Sequence, residues 1–250
     1  MLKNIFTNLI FISMQKLLFI LSCIAVTVTV LTSCNIFCEK GTGNPTSEVR
    51  EVLEFDEIDI KGQASVFLEQ GTEAKVEVEI DSNLLEFVKT EVSGMKLKIY
   101  DDKCLEEVTK YEIHITVPTL SSLYVDGSVS ITSESLIKSD NLFIKTVGSG
   151  DVNLGVDTED LETVTKGSGN LKLFGQTVNF EIDLDGAGSI DAFGLLSKTV
   201  DADVDGAGTC KINVSEKFYG DVSGSGKIYY KGNPKKVKTD VSGSGSIKAK

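Results

Sequence analysis

The stretch "KTVGSGDVNLG", Lys145–Gly155, contains the motif on which the fold of this chain depends. Taken alone, its Gly-Ser-Gly at 148–150 looks like part of a phosphate-binding loop. Such a loop leads into a helix and carries Lys and then Ser or Thr after its final glycine, and this stretch does neither. Glycine also occurs where the backbone bends sharply, because it adopts φ/ψ values that a side chain disfavours. The rest of the sequence decides between these two interpretations.

The motif is one of a series that extends to the end of the chain. Gly-Ser-Gly recurs at 167, 224 and 243, Gly-Ala-Gly stands at 186 and 206, and a degenerate copy, "VDGSVSI", has its glycine at 127. The first glycines are separated by 21, 19, 19, 20, 18 and 19 residues. A fixed period near 20 residues is typical of a stacked solenoid. Repetition without following helices argues against a nucleotide site.

The residues between the glycines alternate between apolar and polar side chains. The position four residues after each first glycine is always apolar: Ile131, Val152, Leu171, Ile190, Cys210, Ile228 and Ile247. Alternation with period 2 predicts strands with one buried face. The sequence therefore predicts an all-β fold, a parallel β-helix or solenoid with rungs of roughly 19 residues. Cys210 occupies one of these predicted core positions, where a buried cysteine behaves as a small hydrophobic residue.

Four segments follow from this pattern. Residues 1–33 are predicted to be a signal peptide, 34–54 a lipidated cysteine with a flexible tether, 55–118 an N-terminal β region, and 119–250 the solenoid, continuous with 55–118 as one domain. One helical turn is expected near Ser82–Val88 and no long helix. Since Arg50, the only arginine, lies in the predicted tether, the folded body is expected to lack arginine.

The N-terminal segment has the features of an export signal. Lys16 precedes the apolar run Leu17–Leu31, and "LTSC" ends that run at Cys34. This ending is similar to the lipobox of bacterial lipoproteins, in which the cysteine becomes the lipidated first residue, and Met14 gives a start of more usual length. A transmembrane helix is the alternative, because the run approaches the roughly 20 residues that span a bilayer. We expect lipid anchoring at the bacterial outer membrane, facing either the periplasm or the outside.

Charge and cysteine content exclude several functions. The formal net charge of −12 disfavours nucleic acid and anionic lipid as partners. No CxxC motif or Cys/His cluster is present, so a zinc site is not expected. Whether Cys38 and Cys104 pair with each other stays open.

Acidic residues on two neighbouring rungs are the strongest candidates for a binding site. "FEIDLDGAG" and "VDADVDGAG" align Asp183 and Asp185 with Asp203 and Asp205, twenty residues apart. Like charges opposite each other on adjacent strands destabilise a sheet unless they are screened, protonated or bridged by a cation. A Ca²⁺ site is one prediction, and a hydrated acidic stripe is the other. The same residues are also the candidates for a hydrolytic carboxylate pair.

Other surface residues give weaker indications. Tyr219 and Tyr229 fall on outward positions, where they could contact a sugar or a protein. His114, the only histidine, is expected on an exposed face without a catalytic partner. The basic segment 227–250 suits either docking of an acidic partner or protection of the last strand edge.

Four stretches of the sequence carry a resemblance to a known family. They are "FDEIDIKGQASVFLEQG" (55–71), "EVSGMKLKIY" (91–100), "IHITVPTLSSLYVDGSVSI" (113–131) and "VSGSGKIYY" (222–230). Together they resemble the family of auto-transporter adhesin head GIN domains. The resemblance implies an envelope lipoprotein with a right-handed β-helical body. We therefore expect a binding module or adhesin for a glycan or protein ligand, without catalysis or a required cofactor. A carbohydrate-active β-helix enzyme that uses the surface carboxylates and a structural envelope component are the alternatives.

Overall fold

The glycine motifs lie directly above one another in the three-dimensional structure. The computed structural model describes residues 38–250, and 39–250 form one compact unit. Parallel pairing aligns the first glycines in a single column: Gly127, Gly148, Gly167, Gly186, Gly206, Gly224 and Gly243. Gly148 has φ 103°, and a Cβ on it would lie 2.7 Å from the carbonyl oxygen of Gly127. The motif is therefore a conformational corner.

The described residues form eighteen strands and one short 3₁₀ turn. The N-terminal strands are β1 (Glu39–Lys40), β2 (Pro45–Arg50), β3 (Glu57–Gly62), β4 (Ser65–Gln70), β5 (Lys75–Asp81), β6 (Val88–Ser93), β7 (Lys96–Asp101), β8 (Leu105–Glu106), β9 (Tyr111–Val117) and β10 (Ser122–Gly127). The solenoid continues with β11 (Ser130–Gly148), β12 (Asp151–Gly167), β13 (Asn170–Gly186), β14 (Ser189–Gly206), β15 (Thr209–Gly224), β16 (Lys227–Lys231), β17 (Lys236–Gly243) and β18 (Ser246–Ala249). The 3₁₀ turn, Leu85–Phe87, confirms the predicted helical turn.

Each rung is divided by its bends into three faces. In β12, residues 151–154 lie on face B, 156–158 on face C and 160–166 on face A. Face A also contains β3, β10 and β17, and face B also contains β4, β16 and β18. The glycine corner separates face A from face B, and register shifts such as the one between Lys172 and Phe174 mark the bend from B to C. The predicted parallel β-solenoid is confirmed.

The N-terminal region supplies an additional rung and a cap. β3 pairs with β10 and β4 with β11, so Gly62 joins the base of the glycine column at φ 120°. Beyond this rung, β5 pairs antiparallel with β9, and β6 pairs antiparallel with β7. Pairing to β5 also places β2 at the edge of the sheet. One end of the solenoid is thus closed by antiparallel strands.

The tether predicted at 34–54 contains ordered structure, which corrects the expectation for its second half. Backbone pairing with β5 fixes β2 inside this segment. Arg50, predicted to lie outside the folded body, donates to the backbone carbonyl of Leu85 at 3.0 Å and pairs with Glu48 at 3.0 Å. The predicted signal peptide and Cys34 lie outside the described residues. Among the described residues, no helix is long or apolar enough to cross a membrane.

Aliphatic side chains from all three faces fill the interior. Cys210 is 0 % exposed, and burial raises the pKa of its thiol to about 12, as expected for a residue in a core position. Cys38 and Cys104 are each disulfide-bonded. Buried threonines pair between neighbouring rungs: the Thr158 hydroxyl donates to that of Thr177 at 2.9 Å, and Thr146 donates to Thr165 at 3.2 Å.

Candidate binding surface

Face A is a broad, flat sheet whose outward side chains form straight columns. Strand pairing places Glu162, Glu181 and Asp201 in one column. The next column contains Asp183, Asp203 and Asp221, and Asp185 pairs with Asp205 in the third. The predicted alignment of the rungs at 181–185 and 201–205 is therefore present. Alternate residues of both strands are buried, so these carboxylates point to solvent.

Few cations balance this acidic surface. Among the described residues, one ion pair involves these eight acids, between Lys166 and Asp185 at 4.0 Å. Desolvation raises the pKa of the Asp203 carboxyl, and the neighbouring Asp201, Asp221 and Asp183 raise it further. Crowding of like charges opposes ionisation at this position. The surface is thus arranged to attract a positively charged ligand.

A shallow groove runs along the edge of face A where it meets face C. Its volume is about 430 Å³, and it crosses the rungs from Ser121 to Asp201. One wall is a polar column in which the Asn179 amide donates to Asp160 at 2.7 Å. The other wall contains Phe143, one rung below the carboxylates of the first acidic column. Amides, carboxylates and an aromatic ring together could contact a polyhydroxylated chain or a basic peptide.

The two tyrosines predicted to bind ligand do not share a surface. Tyr219 lies on face A, one rung above Asp201, whereas Tyr229 lies on face B between Lys211 and Lys248. The Lys236 ammonium donates to the Tyr219 hydroxyl at 3.0 Å, which lowers the pKa of that phenol. Lys250 lies over the Tyr229 ring at 4.7 Å. The structure therefore places them on two faces, each beside lysine.

His114 and Asp101 are two titratable groups of the N-terminal region that lie outside the acidic columns of face A. His114 stacks on Phe67 with ring centroids 4.8 Å apart and has a half-exposed side chain 3.8 Å from Glu112. Burial raises the pKa of Asp101 to about 6, although the hydrogen bond from Tyr111 at 2.6 Å opposes this shift. Neither group adjoins a nucleophile among its described contacts. Both are explained by packing within the N-terminal region.

Sequence reasoning missed two features of the surface. Phe143 occupies the same column as Tyr219, but only the strand register shows that they share a face. An exposed apolar ridge follows the bend between faces B and C, where Leu136 and the ring of Phe174 approach each other beside Gly155. The bulges at this bend break the alternation, so period-2 analysis could not identify these residues.

The fold and surface define a class of protein: a parallel β-solenoid that presents flat, charged faces to solvent. Residues 54–234 match the family described as "Putative auto-transporter adhesin, head GIN domain". Because this match covers more than half of the chain, the protein belongs to that family.

Solved structures agree with this assignment. A putative adhesin of Bacteroides fragilis is 26% identical, covers 85% of this chain and 100% of its own, and has a TM-score of 0.81. A putative lipid binding protein of Parabacteroides distasonis is 25% identical over 85% of this chain and 99% of its own, with a TM-score of 0.72. A putative adhesin of Parabacteroides merdae, at 20% identity and TM-score 0.65, shares the fold. No curated protein matches the sequence.

Proposed function

We propose that the protein is an envelope-anchored lipoprotein whose solenoid is an adhesin-like binding module without catalytic activity. Family membership supports a role at the envelope or cell surface. Cys34 is the proposed site of lipid attachment, and the acyl chains hold the protein at the outer membrane. Lipid anchoring requires no electrostatic attraction and is therefore compatible with an acidic body.

The observation that carries this proposal is the acidic surface of face A. Its carboxylates repeat over successive rungs with one ion pair among them, so the same chemistry is presented several times along the solenoid. Repetition suits a ligand that is itself long or repetitive, because several weak contacts then act together. A glycan with hydroxyl donors, or a protein with a basic surface, fits this arrangement.

A glycan panel distinguishes binding from hydrolysis. We expect alanine at Asp183, Asp185, Asp203 or Asp205, tested one at a time, to change glycan binding by less than about threefold, since each acid supplies one of many contacts. The quadruple variant should lose binding by more than about tenfold. Release of sugar product that disappears in a single variant would instead support the alternative, a carbohydrate-active enzyme.

The same four aspartates are the proposed cation site. Ca²⁺ accepts six to eight oxygen ligands in flexible geometry, which neighbouring carboxylate columns could supply with water. We expect millimolar Ca²⁺ to raise the melting temperature of the wild type but not of the quadruple variant. An unchanged melting temperature in the wild type would remove the cation site and leave the binding module intact.

Anchoring is tested separately at the proposed lipidation site. Cys34→Ala should release the protein from the membrane fraction, because the thiol that receives the lipid is lost. Cys23→Ala is the matched control and should remain in the membrane fraction. Protease treatment of intact cells then reports which side the solenoid faces. A shielded solenoid would favour the alternative of a structural envelope component.

A further inference from the structure

The last rung of the solenoid exposes residues that are core residues in every rung below it. All eight residues of β17 are exposed, including Val237 at 44% and Val241 at 42%. Their partners in β15, Phe218 and Val222, are completely buried. Within residues 38–250, no segment packs over these two valines. We call the surface formed by β17 and β18 the open end.

The backbone is also unpaired at the open end. β17 pairs with β15 and β18 with β16, and each leaves its other edge without a neighbouring strand among the described residues. The opposite end differs, because antiparallel strands close it. Solenoids require polar capping elements at their ends, and an uncapped edge is a template for another strand. The open end thus has the geometry of a strand-accepting surface.

Charge at the open end is opposite to that of the body. Residues 227–250 contain seven lysines and one acid, Asp240, in a chain of net charge −12. Among the described residues, none of the seven lysines forms an ion pair. Lys236 and Lys238 point outward along β17, on either side of the inward-facing Val237. A strand docked here would place its own outward residues beside these ammonium groups.

We propose that the open end binds an extended acidic segment of another protein by strand addition. Alternate apolar residues of the segment would cover Val237 and Val241, and its acidic residues would pair with Lys236 and Lys238. Main-chain hydrogen bonds to β17 would supply the remaining contacts. A second copy docked through the same end is disfavoured, because two equally basic surfaces would face each other. Lysine on the edge opposes pairing with neutral or basic strands but not with acidic ones.

The protein contains a sequence that serves as a probe of this surface. Residues 179–186, "NFEIDLDG", alternate Phe180, Ile182 and Leu184 with three acids, and they pair in parallel with the rungs on either side. A fluorescent, end-blocked peptide of this sequence has the composition that the open end should accept. The matched control peptide, "NFQINLNG", keeps the apolar residues and replaces the three acids with neutral amides.

Fluorescence anisotropy with the full-length protein tests the proposal. We expect saturable binding of the acidic peptide, at least tenfold tighter than that of the neutral peptide, and weaker at high salt. Lys236→Glu/Lys238→Glu and, separately, Val237→Asp should each reduce affinity at least tenfold. Lys172→Glu/Lys198→Glu, with the same charge change on other faces, should bind as the wild type does.

Three results would overturn the proposal. They are no saturable binding below about 1 mM peptide, equal binding of the two peptides, and unchanged binding by both open-end variants. Sedimentation of the protein alone adds a fourth, since self-association that Val237→Asp abolishes would identify a second copy as the occupant. Peptide binding should be unaffected by the quadruple aspartate variant of face A, so failure here is distinguishable from failure of the proposed function.

Discussion

At the scale of single residues, the glycine corners are restricted by two effects at once. Gly167 has φ 114°, which side-chain-bearing residues rarely adopt, and a Cβ on it would lie 2.5 Å from the carbonyl oxygen of Gly148. We expect Gly167→Ala to lower the free energy of unfolding by at least about 2 kcal/mol, from backbone strain and displacement of the rung below. Urea denaturation measures this change. Ser168→Ala, at the exposed centre of the same corner, should change stability by less than about 0.5 kcal/mol, and equal losses would contradict the assignment.

Asp101 makes stability depend on pH at the capped end. Because burial raises its pKa from 3.8 to about 6, the folded state holds this proton more tightly than the unfolded state between those values. Its contribution to stability therefore falls as pH rises from about 4 to 6. Asp101→Asn should remove this decline and stabilise the protein at pH 8 by roughly 1 to 2 kcal/mol, with partial exposure considered. The amide oxygen can still accept the hydrogen bond from Tyr111.

Thermal melts from pH 4 to 8 check this prediction. Asp140→Asn, at an exposed position, is the control and should follow the wild-type curve. A parallel curve for Asp101→Asn would show that the carboxyl is ionised and solvated in the folded protein.

At the scale of strands, the acidic columns should cost stability. Asp203 faces carboxylates on the rungs above and below it, and its pKa is raised by desolvation and, in addition, by these carboxylates. Asp203→Asn should raise the free energy of unfolding by up to about 1 kcal/mol at low salt, because like charges opposite each other are destabilising. The gain should shrink at 1 M salt, where the Debye length is about 3 Å. Chemical denaturation at two salt concentrations tests this, and Glu216→Gln, outside the columns, should show no such dependence.

The strands also show how much of the fold the sequence could predict. From 127 onward, period and alternation predict the rungs, because each rung follows its neighbour in the chain. The rung that contains Gly62 was missed, since 65 residues separate it from Gly127 and no fixed period connects them. β2 was missed for another reason: it is an edge strand with almost every side chain exposed, so no apolar alternation is required. The acidic columns could be predicted because the aligned repeats place these acids at equivalent positions. The groove and the open end could not, because they depend on strand register and side-chain packing in three dimensions.

At the scale of the whole molecule, contacts are local to neighbouring rungs. Deletion of residues 167–185 removes one 19-residue rung and joins Lys166 to Gly186, whose predecessor in the glycine column is then Gly148. We expect the shortened protein to keep its β-type circular dichroism and a cooperative melt within about 10 °C of the wild type, since stability in stacked repeats is nearly a sum over neighbours. Deletion of residues 167–176 removes about half a rung and should abolish the cooperative melt, because Gly148 and Gly186 would then be about 28 residues apart and the corners of neighbouring rungs could no longer stack.

The threonine pairs inside the core link substitutions at distant positions in the chain. The Thr158 hydroxyl donates to that of Thr177, so valine at one position leaves a buried hydroxyl at the other with one partner fewer. Ser197 is next in this column, and its buried hydroxyl has no hydrogen-bond partner among the described residues. During evolution, a substitution at one of these buried positions is therefore expected to be accompanied by a substitution at the stacked position, about one rung away in the sequence. The repeat period of the chain then becomes a period of co-variation, which an alignment of relatives would reveal.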